Sequence, residues 1–198
     1  MEIYIRGGRM NSIKPVKISF FGPSGSGKST ASQCSRKIFG ELLPIYWFKK
    51  CNVAEPLHLI QNHIYREMGI KSVSQDGELL QYLAEKFEKD LGPKCVDRVR
   101  KFVYAYQGKV ICVNSDCRNN AYKCLKDNGF VFVRIQTDPF IRASRLSERG
   151  DITIANNSNS VEGIDQIEAN YTIFNDGTLD SLNEHIRDLL IKKIIPSL

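Results

Sequence analysis

One stretch constrains this chain more than any other. Gly22-Pro23-Ser24-Gly25-Ser26-Gly27-Lys28-Ser29-Thr30 fits the spacing G-x-x-x-x-G-K-[ST], with a further glycine, Gly25, inside it. It follows Val16–Phe21, a β-branched and aromatic run whose one charge is Lys17, and it opens a helical stretch from Lys28 to Phe39. Strand, glycine-rich turn and helix in that order converge backbone N–H groups on one point. The glycines remove Cβ atoms that would obstruct a phosphate, and the helix N-terminus adds the positive end of its dipole. Lys28 has the reach for β and γ phosphates, and the Ser29 hydroxyl suits Mg²⁺. Gly22, Ser24, Gly25, Ser26, Gly27, Lys28, Ser29 and Thr30 are therefore the candidate nucleotide-binding residues. A plain flexible Gly/Ser turn is the weaker alternative in this context.

The remaining pattern sets the fold class. Val16–Phe21, Ile45–Phe48, Lys109–Val113, Phe130–Ile135 and Tyr171–Phe174 read as strands. Between them lie helical stretches: Lys28–Phe39, which Gly40 should stop, Glu55–Met68, Asp76–Leu91, Pro93–Tyr106, Asn119–Asp127, Pro139–Arg149 and Leu179–Ile191. Such alternation predicts an α/β fold with a parallel sheet, right-handed crossovers and ligands at the carboxyl ends of the strands. The 198 residues suit one domain, with residues 1–15 peripheral and the polar stretch Asp151–Ser160 mobile.

Composition narrows the partners. Lys plus Arg number 28 against 22 Asp plus Glu, a net charge of +6 that suits an anionic ligand. No apolar run reaches the ~18 residues of a membrane span, and Met1–Met10 lacks the apolar core of a signal peptide. A cytoplasmic protein with reduced thiols is expected from six cysteines that form no C-x-x-C pair. His58, His63 and His185 match no zinc spacing. No aromatic–basic stretch stands out in the sequence, which disfavours a nucleic-acid ligand.

Three further strings carry chemistry. Asp116 and Arg118 follow an apolar strand, where Asp116 would hold Mg²⁺ or orient an acceptor and Arg118 grip a phosphate; Asp116 as a helix cap is the alternative. Arg142, Arg145 and Arg149 share one helical face and suit a lid that neutralises a transferring phosphoryl group, or else an exposed helix with salt bridges. Glu55, in Asn52-Val53-Ala54-Glu55-Pro56-Leu57-His58, is either a base toward an acceptor hydroxyl or a carboxylate favoured by a helix N-terminus. Arg66, Gln81 and Arg98 are further acceptor-binding candidates. Arg100 is another, but a helix would not put it on one face with Arg98, two residues away, so at least one of the two is expected to be a surface charge.

With these strings in order, and with Asn175-Asp176-Gly177-Thr178-Leu179 before the last helix, the chain resembles the P-loop nucleoside and nucleotide kinases. The closest flavour is that of bacteriophage deoxynucleoside monophosphate kinases and their bacterial relatives, with dephospho-coenzyme A kinases nearby. The resemblance runs from Val16 to Leu190. It implies a three-layer fold with a five-stranded parallel sheet, a helical acceptor-binding insert over about 55–106 and an arginine-rich lid over about 142–160. It also implies Mg-ATP as donor, with Asn175 and Gly177 near the adenine. Where the phage enzymes resemble Ala-Asp-Pro-Leu-Lys, this chain has Ala-Glu-Pro-Leu-His at 54–58. A Glu-Pro after the second strand also resembles deoxynucleoside kinases, in which that Glu acts as base.

Two acceptors follow. A nucleoside monophosphate, deoxy or modified forms included, needs cationic clamps; a hydroxyl acceptor (a nucleoside, dephospho-coenzyme A, another metabolite or a hydroxymethylated base) needs Glu55 as base. A nucleotide-binding regulator or nucleic-acid-binding ATPase is the third reading. The partner expected is a small molecule, and a homodimer is compatible with the sequence.

Overall fold

The computed structural model describes residues 14–70, 75–150 and 163–197. Most of the N-terminal stretch and the polar run after Gly150, where the lid is expected to continue, lie outside the described residues. Five parallel strands, β1 (Val16–Phe21), β2 (Trp47–Lys50), β3 (Val110–Asn114), β4 (Val131–Gln136) and β5 (Tyr171–Phe174), form one sheet in the order β2-β3-β1-β4-β5. The phosphate loop leaves the central strand. Seven helices accompany the described sheet: α1 (Lys28–Leu42), α2 (Glu55–Glu67), α3 (Gly77–Leu91), α4 (Lys94–Ala105), α5 (Asn119–Asp127), α6 (Pro139–Arg149) and α7 (Leu179–Leu189).

The two faces of the sheet build two cores because successive side chains on a strand point opposite ways. Ile18, Phe20, Ile111, Val113, Val133 and Ile135 pack with Ile38 and Phe39 of α1 and Ile186 of α7. Phe21, Val110, Cys112 and Phe132 pack on the other side with Val96, Val99 and Val103 of α4 and Leu125 of α5. Helix, sheet and helix make the three layers. Five of the six cysteines are buried, as small apolar fillers.

The structure corrects several expected boundaries. The second strand begins at Trp47, not Ile45, because Tyr46 N–H donates to Leu43 O at 2.9 Å and closes a turn through Pro44 and Ile45. Gly40 does not stop α1. Its φ is not positive, and the helix runs on to Leu42, where Leu43 N–H donates to Phe39 O. The last helix leaves α-geometry after Leu189 and continues as a π turn, Leu190–Ile194, with buried Leu190 and Ile194. Strands β3 and β4 each start one residue later than expected.

Candidate active site

The phosphate loop is fixed from two sides. The Ser26 carbonyl accepts Asn175 Nδ2 at 2.8 Å and Thr137 Oγ1 at 3.1 Å, so the loops after β5 and β4 both hold it. Gly27 has φ +97°, and a Cβ there would lie 2.3 Å from Asn175 Nδ2. The turn expected near adenine is therefore packed directly on the loop. On the opposite side the α6 backbone closes on Gly25, whose Cβ would meet Arg142 O at 2.9 Å. The buried Ser26 Oγ and Arg142 Nε have no hydrogen-bond partner among the described residues. Buried donors of that kind beside a glycine-rich loop fit an anionic ligand, since leaving them unmet costs about 1–3 kcal/mol each.

Lys28 starts α1, and its Nζ donates to Pro23 O at 2.7 Å. Burial lowers its pKa to about 7, with the like charges of Arg118, Arg149 and Arg142 adding to the effect and Asp116 opposing it. Those couplings bring together residues from the ends of β1 and β3 and from α6. Ser29, in the first turn of α1, is solvent-exposed.

Asp116 stands at the carboxyl end of β3 and ties it to the start of α2. Its Oδ1 accepts Val53 N–H at 2.9 Å and Asn114 Nδ2 at 2.7 Å, and its Oδ2 accepts Ala54 N–H at 2.7 Å. Burial raises its pKa, while these hydrogen bonds and the nearby His58 hold it down. Asn52 Oδ1 accepts Ser115 N–H at 2.9 Å and completes the junction. The cap expected as an alternative for Asp116 is absent: α5 begins after Arg118 with no side-chain cap.

Beside this junction a cleft of about 420 Å³ runs from Ser24 and Asp116 into the helices α2–α4. Leu57, Leu80, Phe87 and Val96 make it largely apolar, and Gln81, Glu88, Asn119 and Asn120 add polar atoms to its lining. Arg118 and Arg149 line its phosphate-loop end. Although Arg118 is exposed by area, desolvation lowers its pKa, with Asp116 acting against this. His58 also lines the cleft, and burial lowers its pKa.

The sequence candidates separate in this geometry. Lys28, Asp116, Arg118, Arg142 and Arg149 come together, and Gln81 joins them in the cleft wall, its Nε2 bonded to Glu85 Oε1 at 2.9 Å. Arg145 turns instead toward the β5 turn, donating to Asn175 O at 3.1 Å and Gly177 O at 3.5 Å. Glu55 is in an ion pair with Arg98, which also donates to Asn52 O at 3.2 Å; neither side chain lines the cleft. Arg66 is exposed on α2 and bonds His63 and Glu67, away from the cleft. Sequence reasoning missed His58, Asn119, Asn120 and Thr137. The adjacency of His58 to Glu55-Pro56 and of Asn119-Asn120 to Arg118 was the available signal.

A glycine-rich loop after the central strand of a parallel sheet ordered 2-3-1-4-5 decides the architecture. The chain has the P-loop kinase fold. No protein-family model matches the sequence, and no curated protein does. Among solved structures it is similar in fold to TT1252 from Thermus thermophilus, with 16% identity, 90% of this chain and 98% of that one covered, and a TM-score of 0.50. Looser likenesses join it to shikimate kinase from Aquifex aeolicus (16% identity, 91% and 99% covered, TM-score 0.47). Another is the APS kinase from Mycobacterium tuberculosis in complex with AMPPNP and APS (13% identity, 90% and 99% covered, TM-score 0.46). No helix among the described residues is long and apolar enough to cross a membrane.

Proposed function

We propose that this protein is a Mg-ATP-dependent phosphotransferase that moves the γ-phosphate to a nucleoside monophosphate. The carrying observation is the charge around Lys28: Arg118, Arg142 and Arg149 act on it with the same sign, and among the described residues Asp116 acts against them. Such an excess of fixed cations suits the oxygens of two phosphate-bearing substrates meeting at one point, because phosphoryl transfer is mostly positioning and charge stabilisation.

In this reading the loop amides and Lys28 hold the donor phosphates. Arg142 and Arg149 neutralise the transferring group, and Arg118 holds the acceptor phosphate at the mouth of the apolar cleft. Arg145 acts one step removed, fixing the Asn175–Gly177 turn against the donor. Ser29 has an exposed oxygen suited to a hard cation, and Asp116, already accepting three hydrogen bonds, would meet it through water. Bound Mg²⁺ supplies charge neutralisation on the β and γ phosphates.

A hydroxyl acceptor is the second reading, favoured by one observation: Asp116, with a raised pKa, lines the cleft. In that case Asp116, not Glu55, is the base. The test is ADP release with Mg-ATP against ribo- and deoxynucleosides, their monophosphates and dephospho-coenzyme A, with Lys28→Ala as the blank. Turnover confined to monophosphates supports the first reading. Turnover confined to unphosphorylated acceptors, together with loss in Asp116→Asn, replaces it with the second.

A further inference from the structure

Two segments far apart in sequence lie side by side at the β2 edge of the described sheet, because Trp47 and Phe48 pair with Val110 and Ile111. They are Ile45–Lys50 and Lys101–Val110. Together they contain six aromatic residues (46, 47, 48, 102, 104 and 106), four lysines (49, 50, 101 and 109) and no carboxylate. Tyr46 and Phe48 turn to the core. Trp47 and Tyr104 are each 69% exposed, far beyond what a packing role needs.

The lysine between the rings organises the outer face. Lys49 Nζ lies 5.7 Å from the Trp47 ring centre and 5.4 Å from that of Tyr106, and Tyr106 is itself 4.4 Å from Phe102. The backbone of Lys109 is fastened to the same strand end, its carbonyl accepting Trp47 N–H at 2.9 Å. An indole and a phenol ring thus flank an ammonium group, with more lysines at the margin. Rings offer stacking faces to any base, and the lysines match a backbone of phosphates.

We propose that this surface binds single-stranded nucleic acid, by base stacking on the exposed Trp47 and phosphate contacts to Lys49, which the partly buried Tyr106 holds beside it. It stands apart from the phosphate loop, because Trp47 begins β2 and the loop lies at the carboxyl ends of the strands. The occupant is argued from charge: neither segment offers a carboxylate, and the chain as a whole carries +6. An acidic, π-faced ligand is complementary to both features.

The chain has a single tryptophan, so its emission reports this surface alone. The experiment titrates full-length protein, without ATP, into labelled 15-residue oligo(dT) and oligo(rU), reading anisotropy and tryptophan quenching at two or more salt concentrations. Binding of either or both with quenching is expected, with log K falling against log salt by about 0.7 per phosphate contacted. Trp47→Ala and Lys49→Glu should each weaken binding roughly tenfold or more, and Lys28→Ala should leave it unchanged. Lys49→Glu keeps the test valid should Trp47→Ala fail to fold. Four results overturn the proposal: no anisotropy change at low salt, binding untouched by the surface variants, binding lost only in Lys28→Ala, or a concentration-dependent dimer that buries Trp47 without oligonucleotide. Because no ATP is present, failure here leaves the phosphotransferase reading standing, and the reverse holds.

Discussion

The proposed donor and acceptor halves of the site are built by different means. Around the phosphate loop, Ser26 O is bound from two strand ends, α6 closes on Gly25, and α1 buries six residues including Ile38 and Phe39. The acceptor helices bury far less: Leu57 and Gln61 of α2, Leu80 of α3, and three valines of α4. Their charged contacts, such as Arg98 with Glu55 and Arg100 with Asp97, are exposed pairs worth at most about 1 kcal/mol. A triphosphate is the same for every kinase and can be met by a rigid cradle. An acceptor differs from one enzyme to the next, and a lightly buried, largely apolar cleft can change shape around it at small cost.

The first way to break this comparison is Lys28→Ala, which removes a charge that follows the transferring group. Turnover should fall at least about 10²–10³-fold, measured as ADP release, with the fold intact by circular dichroism. Next is Gly27→Ala. The strained φ and the overlap with Asn175 should cost roughly 1–3 kcal/mol in urea unfolding, whereas Leu59→Ala on exposed α2 should change it by less than about 0.5 kcal/mol. If the two variants prove equally costly, the rigid-versus-adaptable contrast fails.

Asp116→Asn and Glu55→Gln sharpen the acceptor half. Asp116 serves both the cleft and the Val53–Ala54 junction, so its replacement should lower kcat and stability together. Glu55→Gln should leave kcat within about threefold, because a general base would be worth 10²–10⁴ and Glu55 is engaged by Arg98.

The mildest prediction concerns protons. Lys28 binds its proton less tightly in the folded chain, at about 7 against 10.5. Between those values the unfolded chain holds more protons, so this lysine's burden on stability is full below pH 7 and is relieved as pH rises toward 10.5. Donor phosphates beside Lys28 should raise its pKa again. Nucleotide binding at pH 8 is therefore expected to take up protons, up to about one per site, read as a dependence of calorimetric heat on buffer ionisation and absent in Lys28→Ala.

What the sequence made legible follows the same division. The loop, its strand and its helix are contiguous, so local pattern and function coincide at 16–42. The inner strands are dominated by β-branched and aromatic residues and announce themselves. At the β2 edge the pattern misleads, since Ile45 and Tyr46 are apolar yet belong to a turn, and only pairing with β3 fixes the start at Trp47. Glu55 and Arg98 are 43 positions apart, so the contact that occupies the carboxylate has no local sign. Arg145 shares its helical face with Arg142 and Arg149, and periodicity alone could not show that it reaches Asn175 O instead. The aromatic and basic surface was invisible for the same reason, being assembled from two short runs that are each unremarkable.

The Asp116 carboxylate also has a modular consequence. It accepts N–H groups from Val53 and Ala54, which lead into the acceptor helices, while standing just beyond the strand to which those helices return. The span from α2 to α4 therefore begins beside Asp116 at the carboxyl end of β3 and returns at the other end of that strand, where Val110 pairs with Trp47. A segment fastened at the two ends of one strand can be exchanged as a cassette for one of another length or shape without moving the sheet. New acceptors would then arise by transplanting helices between Ala54 and Val110, with Asp116 as the fixed clasp at the first junction and the backbone bond from Trp47 to Lys109 at the second.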